Sequence, residues 1–170
     1  CAAADEQSSA KLAADGTGGA IAAWNDHRSG SNFNIYAQRI SPSGAALWAP
    51  DGVPLAVLPS DQIGPVLAPD GAGGAIIAWS DRRSGLSYDI YAQRLGPGGA
   101  PLWPVAGVPL CSAAFDQTIP QIVGDGSAGA IALWLDARSG TSPEVFAQRV
   151  NHAGTTQWPQ DGIALSPGSN

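Results

Sequence analysis

The chain repeats itself three times at a fixed step of 55 residues. Asp15-Gly16, Asp70-Gly71 and Asp125-Gly126 keep that step. So do Trp24, Trp79 and Trp134, and Trp48, Trp103 and Trp158. The strings Arg28-Ser29-Gly30 and Ala37-Gln38-Arg39 recur at the same interval, with no insertion between copies. A period of this length means one supersecondary unit built three times, since such a unit cannot bury its apolar face alone. The expectation is a single repeat domain, 1–170, with units at about 1–55, 56–110 and 111–170.

Each unit reads as four short strands. The first follows an acidic-Gln pair (Glu6-Gln7, Asp61-Gln62, Asp116-Gln117) and runs Ile119 to Val123 in the third copy. An Asp-Gly turn follows, a strong hairpin signal. The second strand is the most apolar, Ala75 to Trp79 in the middle copy. Its small residues suit packing close to a central axis. Arg-Ser-Gly marks the next loop, and Ile90 to Leu95 forms the third strand. A Gly/Pro turn leads past Leu102-Trp103 to Gly107–Leu110, the fourth. Pro54 and Pro109 in that last strand place it at an edge, because proline cannot donate to a ladder.

Composition agrees with an all-β chain. Gly (22) and Pro (14) are abundant, as turns require, and only 13% of residues are charged, about half the usual share. Four-stranded units of this period are the signature of β-propeller blades. The predicted fold is therefore three four-stranded antiparallel blades, with a β-trefoil as the alternative.

The string Gly73 to Gly85, followed by Asp89-Ile90-Tyr91-Ala92-Gln93-Arg94 and Gly99 to Trp103, resembles the repeats of large exported bacterial β-propeller proteins. Those repeats are distantly similar to sialidase-type blades. The resemblance covers all three units. It implies a fold and an extracellular or cell-surface setting, and no single activity. The sialidase Asp-box is matched only loosely by Ser41 to Trp48, where the Asp is missing.

Charge excludes several partners. The net charge is -6 with eight basic residues, too few to neutralise a phosphate backbone, so no nucleic acid is expected. No apolar run reaches the length of a membrane helix. Cys1 at the start, followed by Ala2 to Ala4, resembles a processed lipoprotein. Cys1 is thus a candidate for lipidation, and Cys1 and Cys111 for an intermolecular disulfide. Their equivalent registers two units apart argue against an intrachain bond.

Repetition decides how the polar residues read. A catalytic residue is needed once per site, a scaffold residue once per blade. Asp26/Arg28, Asp81/Arg83 and Asp136/Arg138 are expected to be loop clamps, with a sugar- or peptide-binding rim as the functional alternative. Arg39, Arg94 and Arg149 are expected to stack on Trp or pair with Asp. Trp24, Trp79 and Trp134 should be core. Trp48, Trp103 and Trp158 should pack between blades or stack on a ligand. Asp15, Asp70 and Asp125 offer one carboxylate per turn, too little for Ca²⁺. His27 and His152 are not equivalent, so zinc is not expected. Glu6 and Glu144 form no plausible hydrolytic pair.

No catalytic residue, cofactor or metal is expected. The expected function is a non-enzymatic exported structural protein whose blades associate head to tail into a ring or filament. Three blades do not close a ring when propellers usually have 4–8, and no polar capping unit is present. An extracellular glycan- or protein-binding module is the alternative, and a degenerate glycoside hydrolase the third. Cys1, Ala56, Cys111 and Ser166 share one register, so the chain holds whole blades and no spare strand.

Overall fold

A computed structural model describes residues 1–165. They form twelve strands and no helix. In the first unit these are β1 (Gln7–Ala14), β2 (Ala20–Asp26), β3 (Asn34–Ile40) and β4 (Val53–Ala56). The second holds β5 (Gln62–Pro69), β6 (Ala75–Asp81), β7 (Asp89–Leu95) and β8 (Val108–Cys111). The third holds β9 (Gln117–Gly124), β10 (Ala130–Asp136), β11 (Glu144–Val150) and β12 (Ile163–Ala164). Each unit is one antiparallel sheet with its strands in chain order. These are propeller blades. The trefoil alternative is not adopted, because every strand ladder stays within its own unit. Ser166, the fourth member of the Cys1 register, lies outside the described residues.

Local chemistry explains the hairpins. The Asp15 carboxylate accepts the N–H groups of Thr17 and Gly19, wrapping the β1–β2 turn around itself. Asp70 and Asp125 do the same for their turns. The first strands each carry a bulge, where Ser9, Gly64 and Ile119 adopt positive φ. Bulges of this kind re-aim a strand at a sheet edge.

β5 packs against both β1 and β9, so the first strands gather on the axial side of the row. β6 sits one strand further out and is buried along its whole length. The reason is that both its faces are used. Ala75, Ile77 and Trp79 join Ile21, Ala23, Ile35 and Ala37 of the first blade in one core. Ile76 and Ala78 join Ala130, Ala132, Trp134 and Phe146 of the third in another. A strand covered on both faces has no reason to alternate. β4 and β8, with Pro54 and Pro109, are outer edges.

The seams between blades carry polar links as well. Asp61 accepts the N–H of Phe33, and Asp116 that of Tyr88. Gln62 and Gln117 return the bond by donating their N–H to the carbonyls of the same two residues. The acidic-Gln pair is thus the stitch that joins one blade to the next.

Candidate functional site

Each blade builds two carboxylate–guanidinium pairs from residues repeated at the 55-residue step. At the end of the second strand, Asp26 accepts from Arg28 Nε at 2.7 Å and from Trp24 Nε1 at 2.8 Å. Asp81 and Asp136 receive Arg83 with Trp79, and Arg138 with Trp134, in the same geometry. Burial pushes the Asp26 and Asp136 carboxyls up. The hydrogen bonds from arginine and tryptophan outweigh it and hold both below the usual carboxylate range. Each arginine also lies over an aromatic ring. Arg28 is 3.8 Å from the Tyr36 centroid, Arg83 3.5 Å from Tyr91, and Arg138 3.8 Å from Phe146. The same guanidinium donates to the carbonyl of Asp51, Ala106 or Asp161. These six residues therefore spend their polar atoms inside the blade.

The second pair joins residues read separately in the sequence. Arg39 Nε donates to Asp15 at 2.9 Å, Arg94 to Asp70 and Arg149 to Asp125. The arginine at the end of the third strand thus ties down the first hairpin turn. Backbone N–H donation, from Thr17 to Asp15 and from Ser127 to Asp125, leads the effects that hold these carboxyls low. The signal for the pairing was the constant 24-residue offset in every copy.

The second tryptophan set is where the blades differ. Trp48 is buried at the seam between blades one and two, and its Nε1 donates to the carbonyl of Pro97 at 2.9 Å. Trp103 is buried at the next seam and donates to the carbonyl of His152 at 3.0 Å. Trp158 is half-buried, and no blade among the described residues covers it. The face around it is open too. Leu133 and Leu135 are exposed, while their counterparts Ala23, Asn25, Ala78 and Ser80 are buried. At the other end of the row, Cys1, Ala22, Trp24, Gln38 and Ile40 border an open concavity on blade one.

The two cysteines are free. Cys111 Sγ is buried 3.1 Å from Arg138 Nη2. Burial pushes its thiol up to about 12. Cys1 is exposed, with Sγ 3.5 Å from Arg28 Nη2. Beside it, Ala2 donates its N–H to Asp51, as Ser112 does to Asp161. His27 lies 3.4 Å from Asp5, and the His152 side chain is exposed. Glu6 and Glu144 stand on different blades.

A groove of about 360 Å³ runs between the three axial strands, lined by Ser9, Lys11, Pro65, Ser80, Thr118 and Gln121 among others. The sole lysine of the chain stands here, where the other blades carry Val66 and Gln121. Among the described residues no helix is long and apolar enough to cross a membrane.

Neither a protein-family model nor a curated protein sequence matches the chain. Among solved structures it is similar to a thermostable family-43 glycoside hydrolase, a five-bladed β-propeller, with a TM-score of 0.55 and 14% identity. The match covers 97% of this chain and 62% of that one. The chain thus spans about three-fifths of its neighbour's length. At this identity the likeness shows the fold alone.

Proposed function

We propose that the chain is a non-enzymatic, exported structural module whose end blades associate head to tail with those of a second copy, giving a ring or a filament. The observation that carries this is the pair of uncovered blade faces. Leu133 and Leu135 face solvent on a surface that blades one and two bury. Uncapped repeat ends of this kind promote association. A heterologous contact closes if its rotation divides the circle and otherwise propagates.

The non-enzymatic part rests on what the polar residues already do. Asp26, Asp81 and Asp136 are each saturated by an arginine and a tryptophan within their own blade. Glycoside hydrolysis requires two carboxylates flanking the scissile bond, and none lines the axial groove. The exported setting rests on the resemblance of the repeats.

Light scattering after size exclusion tests the assembly. A mass that grows with protein concentration is the expected result. A monodisperse monomer from micromolar to millimolar chain would overturn it.

A second reading, an extracellular glycan- or protein-binding module, is favoured by the groove. Lys11, Ser9, Thr118 and Gln121 offer donors and acceptors there, in a fold shared with a glycoside hydrolase. Saturable binding on a glycan array, lost in Lys11→Ala, would establish it.

A further inference from the structure

We infer that Trp158 and Arg149 form a two-donor clamp for a main-chain carbonyl, and that its ligand is the Ser41–Gly44 turn of a second copy of this chain. The inference rests on the head-to-tail assembly proposed above and names the residues that carry it.

The template stands twice inside the molecule. At the first seam, Trp48 Nε1 and Arg39 Nη1 converge on the carbonyl of Pro97, at 2.9 and 3.2 Å. At the second, Trp103 Nε1 and Arg94 Nη1 converge on the carbonyl of His152, at 3.0 and 3.2 Å. A glycine two residues beyond that carbonyl makes room for the indole. A Cβ on Gly99 would lie 2.8 Å from the Trp48 ring, and one on Gly154 2.9 Å from the Trp103 ring.

The third clamp is built and empty-handed. Trp158 N–H donates to Gln148 Oε1, as Trp48 and Trp103 donate to Gln38 and Gln93. Arg149 is held by Asp125 as its counterparts are held by theirs. Yet neither Trp158 Nε1 nor Arg149 Nη1 meets an acceptor among the described residues. The Arg149 side chain is 41% exposed, against 14% for Arg39 and 12% for Arg94.

The matching turn waits at the opposite end of the row. Ser41–Gly44 keeps the fold of its two counterparts: Gly44 donates to the Ser41 carbonyl at 2.9 Å, as Gly99 does to Gly96 and Gly154 to Asn151. Pro42 rests against Gly18 as Pro97 rests against Gly73. But nothing lies within 4 Å of the place where a Gly44 Cβ would point. The indole that fills that space in the other two blades is missing there. Clamp and turn are therefore both preorganised, which lowers the ordering cost of binding.

The apolar surface around the clamp changes in a compensating way. Interior seams place Ala23 and Ile77 in one core, and Ala78 and Ala132 in the other. The joint proposed here would set Leu133 against the register of Ala22, a large residue opposite a small one. The acidic stitch does not recur, because Pro143 has no N–H and Glu6 replaces aspartate. The clamp thus carries the directional part of the contact.

Two variants test this. Gly44→Asn places a side chain in the space the indole must enter, and asparagine tolerates positive φ. Trp158→Ala removes the indole from an already open end. Each variant alone is expected to lose at least tenfold in association, while its urea midpoint in dilute solution falls far less than that of Trp79→Ala. Mixed, they should form a 1:1 dimer and stop, since one keeps a working clamp and the other a working turn. Trp158→Phe, which keeps a ring and loses the donor, should weaken association several-fold, and serves if the alanine variant fails to fold. If the wild-type chain self-associates and neither variant weakens it, this inference falls while the assembly stands. If Gly44→Asn associates normally while Trp158→Ala does not, the contact is not to this turn and the inference also falls. A wild-type chain that stays monomeric overturns both.

Discussion

Arg83 lies over the ring of Tyr91, 3.5 Å from its centroid, while its guanidinium forks onto the buried carboxylate of Asp81. Asp81 also accepts the indole N–H of Trp79 at 2.7 Å. One carboxylate thus anchors a core tryptophan, a strand end and a loop. Asp81→Ala strips the acceptor from both donors, and removing one partner of a buried pair costs about 3–5 kcal/mol. Urea unfolding should show a loss of that order. A change under about 1 kcal/mol would mean the pair is dispensable.

Trp79→Ala should cost a similar amount, about 3–5 kcal/mol, because the ring is wholly buried. Trp158→Ala, at the open end, should cost far less in the dissociated chain. Equal losses by calorimetry would contradict the difference in burial.

Stability should respond to pH in two opposed ways. Asp26, Asp70, Asp125 and Asp136 are held below their usual range. Their contribution is full above the unfolded carboxylate pKa and is lost as pH falls below about 4. Asp89 runs the other way. Burial, then the nearby Asp81 charge, raises its carboxyl to about 6. The folded state binds its proton more tightly, so stability declines as pH rises from about 4 to 6. Blade one carries Asn34 at this place, where its Oδ1 accepts the N–H of Leu58. Asp89→Asn should therefore stabilise the chain at pH 7 by about 1–3 kcal/mol, with the gain gone below pH 4. A pH-independent effect in paired melting curves would rule out this cause.

Gly99 and Gly44 share a turn position and a positive φ. Gly99→Ala drives a methyl into the Trp48 ring, whereas Gly44→Ala meets nothing within 4 Å. In dilute solution the first should cost clearly more than the roughly 1 kcal/mol of strain common to both. Equal midpoints would show that Trp48 yields.

The two thiols should separate cleanly under a thiol reagent at pH 8. Cys1 is exposed and Cys111 buried with its thiol raised, so one group per chain should react in buffer and two in denaturant. Two fast groups in buffer would contradict the burial of Cys111.

The blades were legible because each device recurs at a fixed step. Asp70-Gly71 marked a hairpin, Pro109 an edge, and Trp79 a core. Arg39 was expected to pair with an aspartate or stack on a tryptophan; that its partner is Asp15 escaped because the two are 24 residues apart and Asp15 has a local explanation in its own turn. The bulges in the first strands were hidden in two copies of three: Gly64 stands at the bulge of β5, but Ser9 in β1 and Ile119 in β9 take a positive φ with no glycine to advertise it. The clamp at Trp48 was illegible for a different reason. Its acceptor is the carbonyl of Pro97, and a main-chain carbonyl leaves no mark in residue type.

Because every ladder closes within one 55-residue unit, the chain is indifferent to how many units it contains. A recombination event that adds or removes a whole unit strands no hydrogen-bonding edge that was not already at the surface, and it recreates a seam the protein has made before. An exchange out of phase by one residue would turn each core-facing side chain toward water. The gene for such a protein can therefore change length in whole blades and in nothing smaller.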